Sequence, residues 1–441
     1  MPEPKKSWFQ SIFSGGMPKQ GKLPNLGNSQ FNASVIAEAA SASVIAEAKV
    51  TEAEIFPHSK VYITEKYPNE VAILYVQVEG DNSFKLMGGN AEIKLDVTKP
   101  FMNPNISIGN SVAGENGRLE PNDIRVDINY FSGELERNNI EILDWLNKLY
   151  EKHDRNLCLI IVDQTSYEIP WEMLELLPSK AGTKYLGALV TTVRWRQVQK
   201  NGKNGDFLTL DMKSDNKSDK CTGRLIAYAN KELNLKIEQS IFEQLSVTPY
   251  NDITKFQNHL QEEDDKEYGL IYIAAHGKFG EGHQNISFGS LNDTKQQLKL
   301  SDLYFCDLKL LEKSSGIVFI NTCHSARQKP HSRISSSSNY QIGFVELFLR
   351  KGARGVIGTL GAVGNEYAAK IAENLIQPCI GSSSLSVATL LRNIRFQVAA
   401  DLANKDTEAN RAAFIYTFMY VYYGNPMTVL RLTPSGGQTD D

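Results

Sequence analysis

The 441-residue sequence predicts an α/β fold, with a mostly parallel central sheet covered by helices on both faces. Two observations carry that expectation. In the second half, short apolar runs rich in β-branched residues alternate with segments of helical period. Two of those runs also stop abruptly at reactive side chains: Tyr272-Ile273-Ala274-Ala275-His276-Gly277, and Ile317-Val318-Phe319-Ile320-Asn321-Thr322-Cys323-His324-Ser325-Ala326. The carboxyl ends of neighbouring parallel strands are close in space and carry the active sites of open α/β sheets. A thiol and an imidazole delivered there are the parts of a cysteine nucleophile and its base.

Taken in order, residues 1–60 are expected to form a flexible segment dominated at first by Pro, Gly, Ser and Asn. Within it Ala33-Ser34-Val35-Ile36-Ala37-Glu38-Ala39 recurs at Ala42-Ser43-Val44-Ile45-Ala46-Glu47-Ala48. Two copies are too few to stack into a solenoid. A duplication in a tolerant terminus and a segment that occupies a groove both remain open. Between 61 and 126 alternating segments read as strands, with 71–76 and 91–95 the clearest. A helix over 139–153 places Ile140, Leu143, Leu146 and Leu149 on one face. The run 157–163 reads as a buried strand ending in Asp163. Ile169-Pro170-Trp171 then opens a helix, with Pro where its missing N–H costs nothing. A polar insert over 200–221 reads as a surface loop or linker. Beyond it strands are expected at 224–229, 269–275, 316–321, 355–359 and 428–432. Helices are expected at 231–245, 252–262, 343–350, 365–377, 386–403 and 411–422. The division is therefore an amino-terminal half over 61–222, a second half over 223–435 that holds both reactive residues, and a disordered tail over 436–441.

Composition narrows the class. A net charge of −4 and a pI near 6.1 leave no global basic field for nucleic acid. No apolar run approaches the roughly 20 residues that span a bilayer. The amino terminus lacks the apolar core of a signal peptide. The five cysteines (Cys158, Cys221, Cys306, Cys323 and Cys379) are odd in number and scattered, and none forms a CxxC pair. That usage points to a reducing, cytoplasmic setting, and to neither a disulfide framework nor a zinc ribbon. No partner nucleic acid or membrane is expected.

Several rival readings of the site were weighed on the same residues. His324 adjoins the thiol, but adjacent side chains tend to point apart. His283 and His331 lie in polar loops. A zinc site from His276, His283, Cys323 and His324 lacks recognised ligand spacing. The spaced glycines of Gly358-Thr359-Leu360-Gly361-Ala362-Val363-Gly364-Asn365 suggest a phosphate cradle, yet fit neither nucleotide-binding fingerprint. No cofactor and no metal is expected.

These residues carry a resemblance. His276-Gly277 after one strand, Asn-Thr-Cys-His-Ser-Ala after the next, and Gly352-Ala353-Arg354-Gly355-Val356-Ile357-Gly358-Thr359-Leu360 beyond it are similar to the CHAT domain. So are Ile169-Pro170-Trp171-Glu172-Met173-Leu174, Tyr185-Leu186-Gly187 with Arg194, and the closing Tyr423-Gly424-Asn425-Pro426. The resemblance covers roughly 71–432, and its motifs fall in the family's order.

The resemblance implies a caspase-like three-layer sandwich preceded by a degenerate caspase-like half, and a peptidase in which His276 activates Cys323. By similarity to caspase-like enzymes, the oxyanion donors are the backbone N–H groups of Gly277 and Cys323. Metacaspases, which are similar here, often carry an aspartate two residues before the nucleophile to pair with a basic P1 residue. This chain has Asn321 there, so Asn321 is expected to contact substrate and P1 to be neutral. Related sequences often have Trp and then Asp where this chain has Gly361 and Gly364-Asn365, which implies a more open cleft wall. The Ser-rich stretch 327–340 is expected to gate the cleft. Family members frequently act in prokaryotic defence, cleaving a partner such as a gasdermin-like pore former when an activator or sensor releases them. The other reading is a catalytically silent interaction scaffold.

Overall fold

Strand residues divide between two apolar faces, and that division builds the layers. On the strand Tyr268–Ala274, Leu270, Tyr272 and Ala274 face one helical layer, while Ile271 and Ile273 face the other. On Ile317–Asn321, Ile317 and Phe319 separate from Val318 and Ile320 in the same way. The computed structural model describes residues 67–434, apart from 81, 96–98, 104–105, 107–120, 166, 181, 196–197, 200–206, 209–219, 281, 331–340 and 382–383. The repeat at 33–48, most of the insert at 200–221, most of the stretch at 327–340 and the tail at 436–441 lie outside the described residues.

One large sheet carries the described fold. Its strands run in the order Val429–Leu432, Lys220–Ala229, Tyr268–Ala274, Ile317–Asn321, Gly355–Thr359, Tyr420–Gly424, Thr191–Trp195, Cys158–Asp163, Val71–Val78, Ser83–Gly89 and Lys94–Leu95. The first five are mutually parallel. Tyr420–Gly424 turns antiparallel to them and begins a second parallel block that ends at Val71–Val78. Both halves expected from the sequence thus contribute to a mostly parallel sheet, joined at the strand Tyr420–Gly424.

Helices cover both faces. The layer shared by the two blocks includes Lys236–Gln244, Asn365–Ile376 and part of Val387–Asn404. On the opposite face Pro121–Asn138, Ile140–His153 and Glu408–Phe418 cover one block. Ile253–Gln261 and Phe344–Arg350 cover the other.

Three elements depart from the expected pattern. Pro121–Asn138 is a helix that begins inside the segment read as strands. The Trp171–Met173 segment is a single 3-10 turn, not the start of a longer helix. The helix expected over 411–422 ends at Phe418, and Tyr420–Gly424 is a strand. The cause is tertiary: Tyr420 and Tyr422 pack on one face of the sheet, Val421 and Tyr423 on the other. A period of two wins where an aromatic run is buried on both sides.

The seam is held by buried charge. Arg194 pairs with Tyr423 across it, and Trp195 donates its indole N–H to Gly424 O at 2.8 Å. The Arg194 guanidinium forks onto Glu172 at 3.0 and 2.6 Å and also reaches Ile169 O. Burial pushes the Glu172 carboxyl up, but Arg194 outweighs it and holds that carboxyl below its usual range. Gly187 lies beneath the pair: a Cβ there would stand 2.7 Å from Glu172 Cβ. Trp171 is fully buried and donates to Asp163 Oδ2 at 3.1 Å.

Removing one partner would leave the other charge buried alone. Arg194→Met is therefore expected to lower unfolding free energy by about 3–5 kcal/mol in denaturant titrations. The double variant with Glu172→Met should recover much of that loss. A single-variant loss below about 1 kcal/mol, the range of exposed pairs, would contradict the structural role.

Candidate active site

The register of two strands builds the site. Tyr268–Ala274 and Ile317–Asn321 pair in parallel, with Ala274 opposite Asn321. Two residues further along each chain stand His276 and Cys323, at the carboxyl edge of the sheet. Both line one small cleft, together with Asn321, Glu238 and Val363. After Ala274 the chain leaves the main sheet, and His276–Phe279 pairs antiparallel with Ile286–Gly289 in a small three-stranded sheet. The imidazole therefore has a rigid base of its own.

The nucleophile turn is clamped to the end of the next strand. Ser325 Oγ donates to Ile320 O at 2.8 Å and accepts from Thr359 N at 2.9 Å. Thr359 Oγ1 lies 2.7 Å from Thr322 O and 3.0 Å from Gly361 O. Ala326 N donates to Thr359 O, and His324 N to Gly361 O. Arg327 then pairs with Glu168 at 2.5 Å, tying this turn to the amino-terminal half.

Gly277 and Cys323 touch through their backbones. A Cβ on Gly277 would stand 2.0 Å from Cys323 O and 2.9 Å from its N, so no side chain fits. Around the sulfur, burial pushes the Cys323 thiol up. The backbone N–H groups of Val363, Gly277 and Cys323 itself face the sulfur and pull the other way. The nearest measured contact is Val363 N to Sγ at 3.5 Å. Three backbone donors thus converge on the sulfur. Among the described residues no hydrogen bond joins His276 to Cys323, and the thiol instead faces Val363 O at 3.8 Å.

His276 has a different neighbour. Its Nε2 lies 3.6 Å from Glu232 Oε2, an ion-pair distance too long for a direct hydrogen bond. Glu232 is fixed by Ser290 Oγ, Leu291 N and Asn292 Nδ2, and these contacts, that of Ser290 first, hold its carboxyl below the usual range. Glu232 carries no motif of its own, although it follows the strand Lys220–Ala229 much as His276 follows its neighbour. The signal was the same strand-end rule, applied one strand further out.

Asn321 lines the cleft, with its amide engaged inside the protein. Its two amide hydrogens go to Tyr272 Oη at 2.8 Å and Ala368 O at 3.1 Å, and its oxygen accepts from Tyr420 Oη at 2.5 Å. With both donors engaged inside the protein, Asn321 forms the floor of the cleft and has no free N–H for substrate. This removes the ground on which a neutral P1 was expected, because the choice passes to other groups of the cleft.

His324 stands apart. It adopts φ 59° and its Nδ1 is buried without a hydrogen-bond partner among the described residues. Burial, and then Arg327, hold the ring down to about 4. It is neutral at physiological pH and does not line the cleft. Among the described residues no group of three or more His, Cys, Asp and Glu could hold a metal. No helix there is long and apolar enough to cross a membrane. Val363 and Asn365, from the glycine-spaced loop, form the wall facing the thiol.

The CHAT domain family profile matches residues 141–416. Among solved structures, separase in the Saccharomyces cerevisiae separase–securin complex is similar at 12% identity and a TM-score of 0.43, over 80% of this chain and 30% of that chain. The Arg-specific cysteine proteinase gingipain R is similar at 12% identity and a TM-score of 0.40, over 66% of this chain and 68% of that one. The complex of the pro- and mature domains of Porphyromonas gingivalis RgpB gives 10% identity and a TM-score of 0.41, over 66% and 70%. This chain spans under a third of the separase chain. No curated protein matches.

Two outcomes follow from the geometry. A thiol raised by burial is protonated at neutral pH, and its thiolate grows as pH rises. Iodoacetamide modification of Cys323, read from the mass of its own peptide, should be slow near pH 7 and still climbing near pH 9. A plateau below about pH 7 would instead reveal a preformed thiolate. Gly277→Ala forces the backbone of Cys323 to move, so Cys323-dependent activity should fall about 100-fold for a stability loss of only about 1–3 kcal/mol. Activity at the level of the unaltered chain would show that the contact is dispensable.

Proposed function

We propose that this chain, which belongs to the CHAT domain family, is a caspase-like cysteine endopeptidase with Cys323 as nucleophile and His276 as base. The observation that carries the proposal is the shared cleft: a thiol, an imidazole and converging backbone N–H groups at the carboxyl ends of two parallel strands. Substrate binding brings a backbone carbonyl to the sulfur. His276 accepts the Cys323 proton as the sulfur attacks the carbonyl carbon. The oxyanion is then held by the N–H groups of Gly277 and Cys323, with Val363 as a further donor. His276 returns the proton to the leaving amine, the C–N bond breaks, and water hydrolyses the thioester. Glu232 acts as a positioning residue on the far side of the imidazole.

The proposal extends to a setting suggested by the resemblance. The substrate is a specific protein partner in the cytoplasm, of the gasdermin-like pore-former kind, in a prokaryotic defence or cell-death pathway. An upstream activator or sensor governs it. A second reading, the silent scaffold, has one observation in its favour: the thiol is raised and not bonded to His276. Catalytic hydrogen bonds often tighten only once substrate is bound, which reconciles that feature with an enzyme.

Co-expression with candidate partners should give a clipped product that Cys323→Ala and His276→Ala each reduce by about 1,000-fold or more. Glu232→Gln should lower kcat by about ten-fold with KM little changed, as expected of a residue that orients the base. Cleavage that survives Cys323→Ala would overturn the enzyme reading. Intact partners in every pairing, with signalling retained by Cys323→Ala, would favour the scaffold.

A further inference from the structure

The cleft holds one charged group that the peptidase chemistry does not use. Glu238, in the first turn of the helix Lys236–Gln244, lines the cleft beside Asn321 yet is only 3% exposed. Its Oε1 accepts from Tyr272 Oη at 3.2 Å. Its Oε2 is buried with no hydrogen-bond partner among the described residues. No cation pairs with it there: Lys370, on the neighbouring helix, is engaged with Glu373. A carboxyl taken out of water without a full set of partners is costly, and proteins rarely retain one for stability.

The hydrogen bonds around it have a direction. Tyr420 Oη donates to Asn321, the Asn321 amide donates to Tyr272 Oη, and Tyr272 Oη donates to Glu238. The chain therefore ends on the carboxyl as its final acceptor, which offsets only part of the burial that pushes that carboxyl up. Leu233, Leu235 and Ala368 line the cleft near it, with Asn234, Thr322 and Asn365 as uncharged polar neighbours. Among the groups lining the cleft, Glu238 is thus a buried carboxyl with one oxygen unbonded among the described residues.

We infer that Glu238 is the specificity carboxylate of the cleft, and that the side chain accepted next to Cys323 is basic, a lysine or an arginine. The inference rests on the peptidase reading and names its substrate class. An incoming cation supplies the partner that Oε2 lacks, and in a site shielded from water that charge-assisted contact is strong. A neutral side chain would leave the carboxyl as it stands in the free protein. Asn321 contributes at second hand, by polarising Tyr272, and Glu238 takes the place that the sequence comparison assigned to an acidic residue two positions before the nucleophile.

Two peptidyl chloromethyl ketones that differ only at P1, lysine against norleucine, test this on the full chain. The Cys323 sulfur displaces chloride and its proton passes to His276, so labelling is read from the mass of the Cys323 peptide. The lysine probe should label about ten-fold faster or more. In Glu238→Gln, which keeps the shape of the side chain, that ratio should fall towards one, with thermal unfolding confirming a folded protein. Burial pushes the Glu238 carboxyl up. It is thus neutral at lower pH and ionises as pH rises, and the lysine-to-norleucine ratio should rise in step. A ratio of one or less in the unaltered chain, or a ratio retained in Glu238→Gln, would overturn the assignment while leaving the peptidase reading standing. Failure of both probes at a Cys323 that iodoacetamide modifies would sink the peptidase reading, and this inference with it.

Discussion

The site depends on one register. Ala274 stands opposite Asn321 in a parallel pair, so the two chains reach the sheet edge in step and present His276 and Cys323 side by side. A slip of one residue would send every side chain of one strand to the other face. Tyr272 and Phe319 would leave the layer they share, and the apolar faces on both sides of the sheet would be exchanged. The core therefore fixes the alignment of the chemistry, and the cost of a misaligned dyad is the cost of a misfolded sheet. The direct backbone contact between Gly277 and Cys323 is the local expression of the same constraint.

That alignment does not by itself make a reactive thiol. Burial favours the neutral form of Cys323, and the N–H groups around the sulfur only partly oppose it. Carboxyls of opposite character flank the pair. Glu232 is held ionised by hydroxyl and amide donors at the rim, beside the imidazole. Glu238 is buried at the floor with an oxygen unmatched. Solvation separates the two roles: the rim carboxyl retains its charge whether or not the cleft is filled, whereas the charge of the floor carboxyl is stabilised by what fills it.

Much of this was legible in the sequence, and the remainder was hidden for identifiable reasons. Buried parallel strands leave a strong signature, and Ile317-Val318-Phe319-Ile320 and Gly355–Thr359 lie within a residue of where it places them. Their ends disclosed His276, Gly277 and Cys323. Glu238 left no such mark, because a Glu two residues after Lys236 looks like any solvated helix start. Only the packing of the helix Lys236–Gln244 against the sheet buries it. The strand Tyr420–Gly424 was lost for a related reason. An aromatic run following a helix reads as its last turn until a gap between two sheet blocks is known to need filling. Asn321 was read correctly in position, but hydrogen-bond saturation is a property of neighbours that lie far away in sequence.

The motifs that carried the resemblance but no chemistry find their role at the seam. Trp171, Glu172, Gly187, Arg194 and Gly424 do not touch the cleft; they lock the strand Thr191–Trp195 and the turn before it against Tyr420–Gly424. The strand they secure also supplies Tyr420, whose hydroxyl holds the Asn321 oxygen. A second link runs through Glu168 and Arg327, from the same amino-terminal turn to the turn that bears Cys323. The amino-terminal half thus reaches the site by two separate paths, one to its floor and one to its nucleophile. The half that carries Cys323, excised from it, would lose both anchors at once.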